Sequence, residues 1–81
     1  MKSKGLRVED PASYRIQIQG ALDPQLSGRL GGMDIQAQRF GDMRMPVTIL
    51  SGRLRDQAAL FGVLNALYDL RLPVLSVEYL E

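Results

Sequence analysis

The sequence predicts an α+β domain of order β-α-β-β-α-β, a four-stranded antiparallel sheet with two helices on one face. Three observations predict it. "YRIQIQ" and "MDIQAQ" alternate apolar and polar residues, the period of a half-buried strand. "DQAALFGVLNALYDL", residues 56–70, repeats its apolar residues at helical spacing. Gly, Asp and Pro clusters punctuate the chain between such stretches.

Residues 1–13 are polar and include Gly5, Asp10 and Pro11, so a flexible N-terminal arm is expected before a single domain at 14–81. In the first strand Tyr14, Ile16, Ile18 and Leu22 share one face; Arg15, Gln17 and Gln19 share the other. Asp23 is a natural N-cap and Pro24 suits the first helical position. A short helix follows, with Leu26 and Leu30 inward; Ser27 and Gly28 weaken it, and Gly31 and Gly32 end it. The second strand, "MDIQAQRF", sets Met33, Ile35 and Ala37 against Asp34, Gln36 and Gln38, and "GDMRMP" turns the chain. "VTILSG" is the most continuously apolar strand and is expected at the centre of the sheet. Asp56 caps the long helix, Pro73 stops it, and "VLSVEYL" is the last strand. This order folds as the ferredoxin-like arrangement, with right-handed crossovers.

Bulk properties narrow the functions. The chain has 81 residues, enough for one domain, and is 46% hydrophobic and 23% charged, a globular composition. Its net charge of +1 gives no field to attract nucleic acid or an anionic membrane. It has no cysteine, hence no disulfide, thiolate metal site or cysteine nucleophile, and a cytoplasmic location is expected. It has no histidine, the commonest general base and metal ligand. No cofactor and no metal are expected. No apolar run is long enough to span a membrane, and "MKSKGLRVEDPAS" lacks the apolar core of a signal peptide.

The segment "SGRLRDQAALFGVLNALYDLRLPVLSVEYLE", with "LGGMDI" upstream, carries a resemblance. It is similar to a group of small uncharacterised bacterial proteins whose tails run "DQAAL", then "G", then "LL", and close in a strand like "LPLLSV". The resemblance covers over half the chain. It implies the same ferredoxin-like fold and carries no activity. One departure stands out: such proteins often have Gly just before the last strand, where this chain has Arg71.

Candidate chemistry is sparse. The nine carboxylates are scattered, apart from the adjoining Glu9 and Asp10, and form no i,i+4 pair on a helix. Arg53 and Arg55 precede a helix N-terminus and could form an anion site, although Asp56 competes for the same N–H groups. "LDPQLSGRLGGMDI" faintly resembles the ligand-binding half of an ACT domain, a small-ligand regulatory module, but Asp23-Pro24 replaces the motif of that family. Arg15, Gln17, Gln19, Gln36 and Gln38 share the polar sheet face, where RNA-recognition domains stack bases on aromatics; here no aromatic falls at the centre and only Phe40 falls near the edge. For an oxygenase or isomerase, only Arg15, Asp34 and Tyr79 stand out as candidates.

The long helix is the most informative element. Between Asp56 and Asp69 it carries no charge. At 100° per residue, Ala59, Leu60, Val63, Leu64, Leu67 and Leu70 gather inward. Ala58, Phe61, Gly62, Asn65 and Tyr68 gather outward, aromatic and small where charge is usual. Either Phe61 and Tyr68 fold over the edge of the domain's own core, or they form a partner interface. Met43 and Met45 at the hairpin tip would extend such a patch. The reading this favours is a non-enzymatic interaction module, binding itself as a symmetric homodimer or another protein.

Overall fold

The structure, a computed structural model, describes residues 5–38 and 45–81. Its elements are β1 (Ala12–Gln19), a 3-10 helix (Pro24–Leu30), β2 (Asp34–Gln38), β3 (Val47–Leu54), α1 (Gln57–Asp69) and β4 (Val74–Tyr79). The strands form one sheet in the order β2-β3-β1-β4, and every neighbouring pair is antiparallel. The expected turn residues Gly41, Asp42 and Met43, and Arg39 and Phe40 at the expected end of β2, lie outside the described residues.

Alternation builds the core. Ala12, Tyr14, Ile16 and Ile18 of β1 are all buried on one face. Their β3 partners Leu54, Leu50 and Thr48 lie on that same face, because directly paired residues of an antiparallel ladder point the same way. Leu30 and Met33 cover them from the 3-10 side, and Leu60, Val63 and Leu67 from α1. Thr48, the buried polar residue of this core, donates its hydroxyl proton to the Gly20 carbonyl at 2.7 Å. The hydroxyl is therefore satisfied and costs little to bury. As expected, β3 lies inside the sheet, flanked by β2 and β1.

Three expectations change, and one open alternative closes. The first helix is a 3-10 helix, so the described residues contain one α-helix and not two. Asp23 caps it as expected, accepting from the Gln25 N–H at 2.9 Å, and Gly31 ends it in the left-handed region. With Ser27 and Gly28 at its centre, seven residues do not sustain α-helical turns. β1 begins at Ala12, two residues before the expected boundary, since Ala12 and Ser13 pair with Leu54 and Arg53. Leu70, expected inward, is exposed where the helix ends. Phe61 and Tyr68 do not fold onto the core: they are 57% and 68% exposed.

The ends of α1 are well defined. The Asp56 carboxylate accepts from the Ala59 N–H at 2.8 Å. At the other end Arg71 N–H donates to Tyr68 and Leu72 N–H to Leu67, the paired bonds of a Schellman motif. That motif needs a left-handed residue after the cap, and Arg71 takes it at φ 61°. Leu72 then packs against the core.

Candidate interaction surface

The helix layer does not cover the whole sheet. The 3-10 helix packs on β2 and on α1, and α1 packs on β3. Gly31 brings the two helical elements close to β3. A Cβ there would sit 2.7 Å from Leu54 Cδ2 and 3.2 Å from Val63 Cγ2, so glycine alone lets the chain approach so closely. The layer is thus drawn toward the β2 end of the sheet. β4, at the opposite end, is left bare.

The consequence shows in β4. Val77 pairs with Ile16 and Tyr79 with Tyr14, so both side chains lie on the core face of the sheet. Yet Val77 is 43% exposed and Tyr79 is 56% exposed. Val74, paired with Ile18, is exposed too. The Tyr79 ring rests against that of Tyr14, with centroids 6.1 Å apart. Tyr14 is buried, and its hydroxyl finds no partner among the described residues.

α1 forms the wall above this floor. Ala66, Asp69 and Leu70 line a cleft of about 200 Å³ toward the 3-10 helix, with Leu26, Arg29 and Leu30 opposite. Phe61, Leu64 and Tyr68 come off the other flank of α1, toward the β4 end. The Arg71 guanidinium lies 5.1 Å from the centre of the Tyr68 ring and closes that end. By this helical spacing the exposed apolar side chains make a trough, with Val74, Val77 and Tyr79 as its floor and Phe61 and Tyr68, beside the half-buried Leu64, as its wall.

Ala58, Phe61, Gly62, Asn65 and Tyr68 are all exposed along α1. They spread over an arc. Phe61 and Tyr68 lie on the flank away from the 3-10 helix, whereas Ala58, Asn65 and Gly62 face away from the sheet. A Cβ on Gly62 would meet nothing within 4 Å. Met45 is exposed beside the residues that lie outside the described set. The β4 side chains were missed at the sequence level, because apolar content in "VLSVEYL" reads as burial. The weak, glycine-bearing segment 24–30 was the available signal that the helix layer falls short of one edge.

The other candidates are not gathered. Arg53 alternates with buried Leu54 and so faces the polar side of the sheet; Arg55 lies beyond the strand, 3.9 Å from Asp56. The Ala59 N–H at the helix start goes to Asp56, and the Gln57 N–H goes to the Val8 carbonyl at 2.9 Å. Those are N–H groups that an anion would use. Arg15 and Asp34 lie in one row of the polar face, both paired with Ser51, but Tyr79 is on the opposite face. Arg15 is held by Glu78 at 3.2 Å. Gln17 and Gln36 flank Ile49, and Gln19 and Gln38 flank Val47, with no aromatic among the described residues of that face. The cleft near the 3-10 helix falls short of the roughly 300–1,000 Å³ of a typical small-molecule site. Among the described residues no three His, Cys, Asp or Glu side chains come together to hold a metal ion. No described helix is long and apolar enough to cross a membrane.

Among the described residues, one antiparallel sheet, a 3-10 helix and one α-helix make a small α+β domain with exposed apolar side chains on β4 and on α1. A family model matches residues 13–78, and the chain belongs to that family, a domain of unknown function, DUF8691. Neither the curated proteins nor the solved structures yielded a match.

Proposed function

We propose that this chain is a non-enzymatic interaction module that works by self-association, as a symmetric homodimer, through the outer flank of α1. The observation that carries this reading is the trough. Two large aromatics, Phe61 and Tyr68, stand exposed beside an exposed apolar strand floor. Contiguous apolar surface of this kind marks a partner site in small soluble domains. A partner that is itself a copy presents the same patch, so one two-fold axis satisfies both.

The same proposal reads the fold as ferredoxin-like, with the 3-10 helix standing in for the first helix of that arrangement. It places the chain among the small bacterial proteins that its tail resembles, and it sets the work in the cytoplasm, where a chain without cysteine has no need of an oxidising compartment. A small-ligand role of the ACT kind is the weaker reading, since the cleft between the 3-10 helix and α1 is small.

Light scattering on the wild type and on Phe61→Asp tests the proposal. Removing an anchoring aromatic typically costs about 2 kcal/mol or more, roughly 30-fold in dissociation constant. The variant should shift to monomer while its circular dichroism spectrum keeps its shape. Unchanged assembly in Phe61→Asp would remove α1 from the interface.

A further inference from the structure

The two edges of the sheet differ sharply. β2 reads "DIQAQ", short and polar. β4 reads "VLSVEY", with no lysine and no proline; its bulge lies at Leu75 and leaves Ser76–Tyr79 in regular register, and among the described residues nothing pairs with its outer side. Natural edge strands are usually blunted by such residues, because a bare apolar edge is a template for another strand. We infer that the β4 edge is built to pair with the β4 of a second copy, antiparallel about a two-fold axis at Val77, making one continuous eight-stranded sheet. This rests on the self-association proposed above and names its geometry.

Hydrogen-bond parity fits this axis. Leu80 N–H donates inward to the Ser13 carbonyl at 2.8 Å. Backbone groups alternate along a strand, so those of Glu78 also point toward β1 and those of Tyr79 and Val77 point outward. Val77 on the axis can therefore exchange both hydrogen bonds with its copy. Charge complementarity fits as well. Glu78, the one charge within β4, is paired in its own chain with Arg15 at 3.2 Å. With Val77 on the axis, Glu78 faces Ser76 of the second copy, and the regular register ends at the bulge at Leu75. An axis at Glu78 would oppose two carboxylates and would need groups already spent on β1.

The two-fold also joins the two troughs. Each floor of Val77 and Tyr79 continues into the other, with Phe61 and Tyr68 walls on both sides.

The test uses the absence of cysteine, which makes any single introduced thiol unique. Val77→Cys and, on the opposite edge, Gln36→Cys are treated with a short thiol-to-thiol crosslinker, alongside light scattering of the wild type. The expected result is a wild-type dimer, with Val77→Cys crosslinked at least tenfold more than Gln36→Cys. Val77→Pro, which removes an outward N–H that the fold does not use, should weaken dimerisation at least tenfold with the circular dichroism spectrum retained. Should Val77→Pro unfold, Tyr79→Lys serves in its place, since a lysine on an exposed edge strand disfavours pairing with another strand. A wild-type dimer in which Val77→Cys crosslinks no better than Gln36→Cys would overturn the β4 axis and leave self-association standing. A monomeric wild type would overturn both.

Discussion

At the residue scale, Arg71 is the most telling position. It occupies the left-handed conformation at φ 61°, a region that favours glycine. A non-glycine residue there costs about 1 kcal/mol or more. Its guanidinium recovers part of that on Tyr68, about 0.5 kcal/mol at an exposed site. Arg71→Gly should therefore raise the melting temperature by a few degrees, about 2–5 °C for a domain of this size, at fixed protein concentration. Gly31 is the converse. Its φ of 70° and the 2.7 Å approach to Leu54 leave no room for a methyl group. Gly31→Ala should destabilise by about 2–4 kcal/mol, combining overpacking with left-handed strain, and calorimetry would read the difference. The sequence showed Gly31 as a helix stop; its tight packing depends on Leu54 and Val63, which are distant in the chain.

At the element scale, α1 was legible in most respects. The Asp56 cap, the inward Leu60, Val63 and Leu67, and the stop before Pro73 all follow from local rules, and the structure has each of them. Its surroundings were less legible. Whether Phe61 and Tyr68 pack on their own core depends on how far the helix layer reaches, and Gly31 and the short 3-10 helix fix that reach. β4 was correct as a strand; its exposure was not visible, since periodicity reports which face a residue takes and not what covers that face. Ala12 and Ser13, placed in the arm by their sequence, join β1, and the Val8 carbonyl accepts from the Gln57 N–H. Two substitutions separate the roles of the helix faces. Leu67→Asp puts an unpaired charge in a fully buried position and should unfold the domain outright. Gly62→Ala, where the new methyl group meets nothing in a single chain, should raise the melting temperature of the monomer through helix propensity alone, by about 1 kcal/mol of stability.

At the scale of the whole molecule, the fold is elongated. The radius of gyration is 13.4 Å, larger than the roughly 12 Å of a compact chain of this length. The molecule is a slab 44 × 26 × 17 Å. A sheet of four strands with a full helix layer would fill its own core face; this one leaves the β4 end open and lines it with apolar side chains. A second copy meeting the first at that edge would pair the free strand without any new element. Sedimentation equilibrium of the wild-type chain over a wide concentration range tests this most directly. The account predicts a mass that rises to twice the 9.0 kDa of the single chain and stays there. A mass that remains at 9.0 kDa at the highest concentration would contradict it.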